Sequence, residues 1–78
     1  MPTVLRIGPY RFLFYSADRS EPAHIHVNRD DCQAKFWLMP VSLASNIGFS
    51  PKELRVVEKL VVQHSELLLG RWHDNFDQ

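Results

Sequence analysis

Cysteine occurs once, at Cys32, so the chain holds no disulfide within itself, and the paired Cys-x-x-Cys clusters of a zinc ribbon are missing too. That usage fits a reducing compartment, and a cytoplasmic protein is expected. No apolar run approaches the roughly 18 residues of a membrane-spanning helix, and the opening MPTVLRIG lacks the basic-then-apolar layout of a signal peptide. No membrane association is expected. An excess of charge of one sign is lacking as well: nine Lys and Arg balance nine Asp and Glu, so net charge gives no pull toward nucleic acid, an anionic membrane or an acidic substrate. Any such preference has to come from local arrangement. At 78 residues the chain reads as one domain, 1–78, able to bury only about 60% of its unfolded surface, and a partner or a second copy would add to its stability.

From Thr3 to Leu38 the apolar residues recur with the two-residue period of strands, interrupted by turn chemistry at Gly8–Pro9, at Ser16 to Pro22 and at Asn28 to Asp31. Strands are expected over 3–7, 10–16, 23–28 and 32–39, with a fifth, weaker one over 41–45, and the short links make an antiparallel meander. At Ser50 the period changes. Ser50, Pro51 and Glu53 form a capping box with proline at the first helical position, which starts one long helix expected over about 51–75. Its stripe of Leu54, Val57, Leu60, Val61, Leu67 and Leu68 recurs at helical spacing and has to lie on the sheet. The expected class is α+β: two layers, a sheet of four or five strands over about 3–45 and one long C-terminal helix.

Alternation sorts each strand by face. Leu5, Ile7, Phe12, Phe14, Ile25, Val27, Ala34, Phe36 and Leu38 belong under the helix, with Cys32 as a small core residue beside Phe36. The opposite face gathers Arg6, Arg11, Tyr15, His24, His26, Lys35 and Trp37, three cations, two imidazoles and two aromatics with no carboxylate among those strand positions. An ordinary solvated face mixes both signs. This one suits a phosphate backbone, held by Arg6 and Arg11, with bases stacked on Tyr15 or Trp37.

His24 and His26 stand two residues apart on one strand, so their rings emerge on one side about 7 Å apart. One neutral and one protonated imidazole is the condition for acid and base catalysis of phosphodiester transfer, without a metal or other cofactor. Lys35 is the candidate to stabilise the developing negative charge. The same pair supplies two metal ligands, and a zinc site would need a third, from Glu21 or His64. Elsewhere His64 falls in the helix's apolar sector, where a hydrogen-bonded histidine is the simpler expectation, and His73 is expected in solvent. Val62, Leu69 and Phe76 recur every seven residues beside the main stripe, as a seam for a partner does.

Taken together, MPTVLRIGPYRFLFYS, EPAHIHV, AKFWL, GFSPKEL and HSELLLGRW resemble the bacterial domain-of-unknown-function family 4160 (DUF4160) over nearly the whole chain. The most specific element is Pro22-x-His24-x-His26, followed by the terminal helix with His64, Glu66, Leu67, Leu68 and Trp72. Ala23 departs from the second proline that many members carry there. The resemblance implies a small bacterial protein, often encoded beside another small protein of unknown function, a layout similar to toxin and antitoxin pairs.

Three readings follow. The first is the toxin half of such a module, acting on RNA through the open sheet face, with a small antitoxin-like protein as its cognate partner. The second is a non-catalytic module that binds nucleic acid or protein, in which the histidines only donate hydrogen bonds. The third is a small metal-binding protein. A homodimer is the simplest closed assembly where no other partner is present.

Overall fold

The computed structural model describes residues 3–15 and 20–76. Five strands are followed by two helices: β1 Thr3–Ile7, β2 Tyr10–Leu13, β3 His24–Arg29, β4 Cys32–Leu38, β5 Val41–Ile47, α1 Pro51–Gln63 and α2 Ser65–Phe76. The strands pair in sequence order, each antiparallel to the next. The chain is therefore α+β, with a meander sheet of five strands. The expected weak strand at Val41 is a full member of the sheet. β2 ends at Leu13, and of the turn expected over Ser16 to Pro22, residues 16–19 lie outside the described residues.

Turn chemistry sets the register. Ile7 faces Tyr10 across Gly8–Pro9, where Gly8 takes the positive φ of 54° that a tight hairpin requires. Arg29 faces Cys32 across Asp30–Asp31, with Asp30 at φ 52°, a region that aspartate tolerates better than most residues. Leu38 faces Val41 across a cis Met39–Pro40 bond. Ala44 is an extra residue in β5, since Ser45 pairs with Lys35 and Leu43 with Phe36.

The alternation sorts as expected. Phe12, Phe14, Ile25, Val27, Ala34, Phe36 and Leu38 form one buried cluster with Phe49, Val57, Val61, Leu68 and Trp72. At roughly 1.5–3 kcal/mol for each fully buried large apolar side chain, this layer is the main source of stability. Val57, Val61, Leu68 and Trp72 share one helical stripe, whereas Leu67 stands about 100° round the axis from Leu68 and is 42% exposed. Leu67 therefore leaves the stripe expected for it.

The single long helix is corrected to two. Ser50 caps α1 as expected, its hydroxyl accepting from the Glu53 amide at 3.1 Å. At His64 the backbone turns to φ −111°, ψ 14°. The His64 ring donates from Nδ1 to the Leu60 carbonyl at 2.9 Å, on the same oxygen that receives the His64 amide at 3.1 Å. A side chain inserted into the hydrogen-bond ladder is an established cause of helix kinks. The Leu68 amide reaches the His64 carbonyl at 2.9 Å, so α2 starts directly after the break.

Candidate functional site

Strand pairing arranges the side of the sheet away from the helices into rows. The first runs Arg6, Arg11, Asn28, Gln33 across β1 to β4, the second runs Leu13, His26, Lys35, Ser45, and the third pairs His24 with Trp37 and Ser42. Arg6 is exposed and Arg11 partly buried. They are direct partners in an antiparallel pair, where like charges oppose each other and destabilise. Arg11 Nε donates to Thr3 Oγ1 at 2.7 Å, and among the described residues neither guanidinium has a carboxylate partner.

The histidine pair departs from its expected setting. His26 is partly exposed and meets Tyr15 edge to face, with ring centroids 4.5 Å apart. His24 is fully buried. Its ring packs on His26 at 5.1 Å, on Trp37 at 5.6 Å and on Trp72 of α2 at 5.0 Å. At this end the two sides of the sheet are not separate, because Trp72 also packs edge to face on the core residue Phe14 at 5.3 Å. The expectation of two solvent-facing imidazoles is thus corrected at His24. Its Nδ1 lies 2.8 Å from the Pro22 carbonyl, which can only accept, so Nδ1 carries the proton.

Lys35 stands between His26 and Trp37, yet its charge is already matched. Its Nζ donates to Glu21 Oε1 at 2.6 Å and sits 4.7 Å from the centre of the Trp37 ring. Glu21 Oε1 also lies 3.8 Å from His24 Nδ1. The strands carry no acid on this side, but the segment before β3 supplies one. For the metal reading, the described residues contain no group of three His, Cys, Asp or Glu placed to hold an ion.

The row Val62, Leu69, Phe76 is not assembled into one exposed seam. Val62 is 54% exposed on α1, whereas Leu69 and Phe76 on α2 pack against the core. Phe76 lies 4.3 Å from Trp72 and 5.9 Å from Phe14, between ring centroids.

One cluster escaped the sequence reading. Arg29 grips Glu53 as a fork, Nε to Oε2 at 2.6 Å and Nη2 to Oε1 at 2.8 Å, and the Tyr10 hydroxyl donates to Oε2 at 2.9 Å. The Arg29 guanidinium also sits 5.7 Å from the Phe49 ring centre. The fork holds the Glu53 carboxyl below its usual range and raises the Arg29 pKa. Burial, and then the bond to Glu53, pushes the Tyr10 hydroxyl up. A signal was present. Arg29 follows Ile25 and Val27 on the inward side, where a lone cation needs an acidic partner, and Glu53 is the first acid of the facing helix.

A family model, "Domain of unknown function (DUF4160)", matches residues 10–73. The chain belongs to that family. No curated protein and no solved structure matches it.

Proposed function

We propose that the chain is the toxin component of a bacterial toxin–antitoxin module, and that it acts on RNA through the sheet face opposite the helices. The observation that carries this reading is the Arg6–Arg11 pair. Two guanidiniums directly opposed on one face repel each other, and a bridging phosphate converts that repulsion into bidentate hydrogen bonding. His26, partly exposed and in the row beside Arg11, is the acid and base candidate. His24 serves as a positioning residue, since its buried ring braces both His26 and Trp37. Lys35, held by Glu21 over Trp37, acts on the charge of a bound strand only through that shared ion pair.

A second reading, a non-catalytic protein-binding module, is favoured by a different part of the surface. Met39, in the turn before β5, is 74% exposed and Ile47, the last residue of β5, 64%. Induced expression in a bacterial host separates the two. Wild-type protein should arrest growth, and His26→Ala, at a partly exposed position, should not. Equal growth of both, at equal folded protein, overturns the toxin reading and leaves the binding module.

A further inference from the structure

Beside Trp37 the segment before β3 and the turn after β4 enclose a groove of about 230 Å3, lined by Pro22, Ala23, Trp37, Met39, Pro40 and Ser42. The Leu38 amide donates to the Ala23 carbonyl at 3.0 Å, tying the Pro22–Ala23 side to β4. The buried His24 ring stands edge to face against Trp37, and Lys35 sits over the indole on the Glu21 tether. The lining carries no charge and one hydroxyl, so it suits a flat, largely apolar group. Clefts for drug-sized ligands span about 300–1,000 Å3, and a groove smaller than that admits a single ring system.

We infer that this groove takes one unpaired nucleobase of a single-stranded RNA, stacked on Trp37. The inference rests on the RNA reading above and narrows it to a substrate class. From Trp37 on β4 to Arg11 on β2 is four residues along the strands and two strands across, about 16 Å at 3.3 Å per residue and 4.8 Å per strand. That distance is a span of a few nucleotides, so one short single strand reaches from the base groove, past His26, to the guanidinium pair. A base inside a duplex is paired and stacked on both faces, and it enters the groove only after leaving the helix. Arg6 and Arg11 on the same face, which have no carboxylate partner among the described residues, favour this polyanion over a protein segment.

Tryptophan fluorescence tests the assignment in the intact protein. The chain has two tryptophans, and Trp72 is buried, so quenching on titration reports Trp37. A single-stranded RNA tetranucleotide should quench it. Making the nucleotide in the groove abasic, or replacing Trp37 by Leu with binding then followed by the anisotropy of a labelled strand, should weaken binding about 5- to 150-fold without changing its salt dependence. A blunt RNA duplex of the same sequence should bind more weakly and leave the fluorescence unchanged. Binding that survives an abasic scan along the strand, or equal binding of the duplex, overturns the base groove while RNA binding itself stands. No binding of either RNA at low salt removes both. A proline-rich peptide that quenches Trp37 where RNA does not would assign the groove to a protein partner and overturn the inference.

Discussion

Replacing His24 by alanine removes a fully buried ring that packs on His26, Trp37 and Trp72 and donates to the Pro22 carbonyl. Aromatic contacts at 5.0, 5.1 and 5.6 Å contribute about 0.5–1.5 kcal/mol each, and the bond to the Pro22 carbonyl about 0.5–1.5 kcal/mol. At the lower ends of those ranges, with the ring's own burial added, the loss is about 3 kcal/mol. For a domain of this size that corresponds to a fall in Tm of about 12–24 °C. Urea unfolding followed by fluorescence is a direct assay, because Trp37 and Trp72 both pack on the ring. His24→Asn, whose amide can still donate toward Pro22, should recover part of the loss. A cost below about 1 kcal/mol for His24→Ala would refute the positioning role and return His24 to the surface pair expected from the sequence.

Phe36, 1% exposed in the centre of the core, should cost about 3–5 kcal/mol on truncation to alanine, measured by the same unfolding curve; a loss under about 1 kcal/mol would mean that it is not well packed. Glu53 titrates lower in the folded chain than its usual 4.5, so its contribution is complete above that value and is lost as pH falls through the lower folded pKa. The stability difference between wild type and Glu53→Gln should therefore hold at neutral pH and shrink on acidification below 4.5, and a difference constant through the acid range would contradict the Arg29 fork. Gly48 has φ +92°, and a Cβ there would lie 3.1 Å from Cys32 Sγ. Gly48→Ala should cost more than about 1 kcal/mol in a urea titration, and a neutral result would show that the turn into α1 readjusts.

The sheet was legible because one face is buried, and a one-residue slip would have turned Ile25, Val27 and Phe36 to solvent. The observed register puts His26 beside Lys35 and His24 beside Trp37, on the one face that alternation assigns to them. The serine cap at Ser50 and the proline after it fixed the start of the first helix, because both act within a few residues, whereas the Glu53 carboxylate expected to complete a capping box goes to Arg29 and Tyr10 instead. What alternation does not carry is what folds over the end of a strand. His24 is buried by Trp72, nearly fifty residues away in sequence, and the Glu21 that answers Lys35 comes from a connection rather than a strand. The break at His64 goes with a ring that shares the Leu60 carbonyl with its own amide, a choice that apolar spacing does not record. Arg29 and Glu53 lay in plain view on facing elements, but their pairing became visible only once inward-facing charges were sought as well as inward-facing apolar residues.

The salt dependence of RNA binding tests the central claim most directly, since it counts the phosphates that the sheet face neutralises. Glu21 already answers Lys35, which leaves Arg6 and Arg11, and at about −0.7 per phosphate the log–log slope for a single strand should be about −1.4. Arg6→Ala should make it shallower by about 0.7, and the Arg6→Ala, Arg11→Ala double variant should bring it near zero while the protein stays folded. A wild-type slope near zero, or one that the double variant leaves unchanged, would contradict an RNA-binding role for this face.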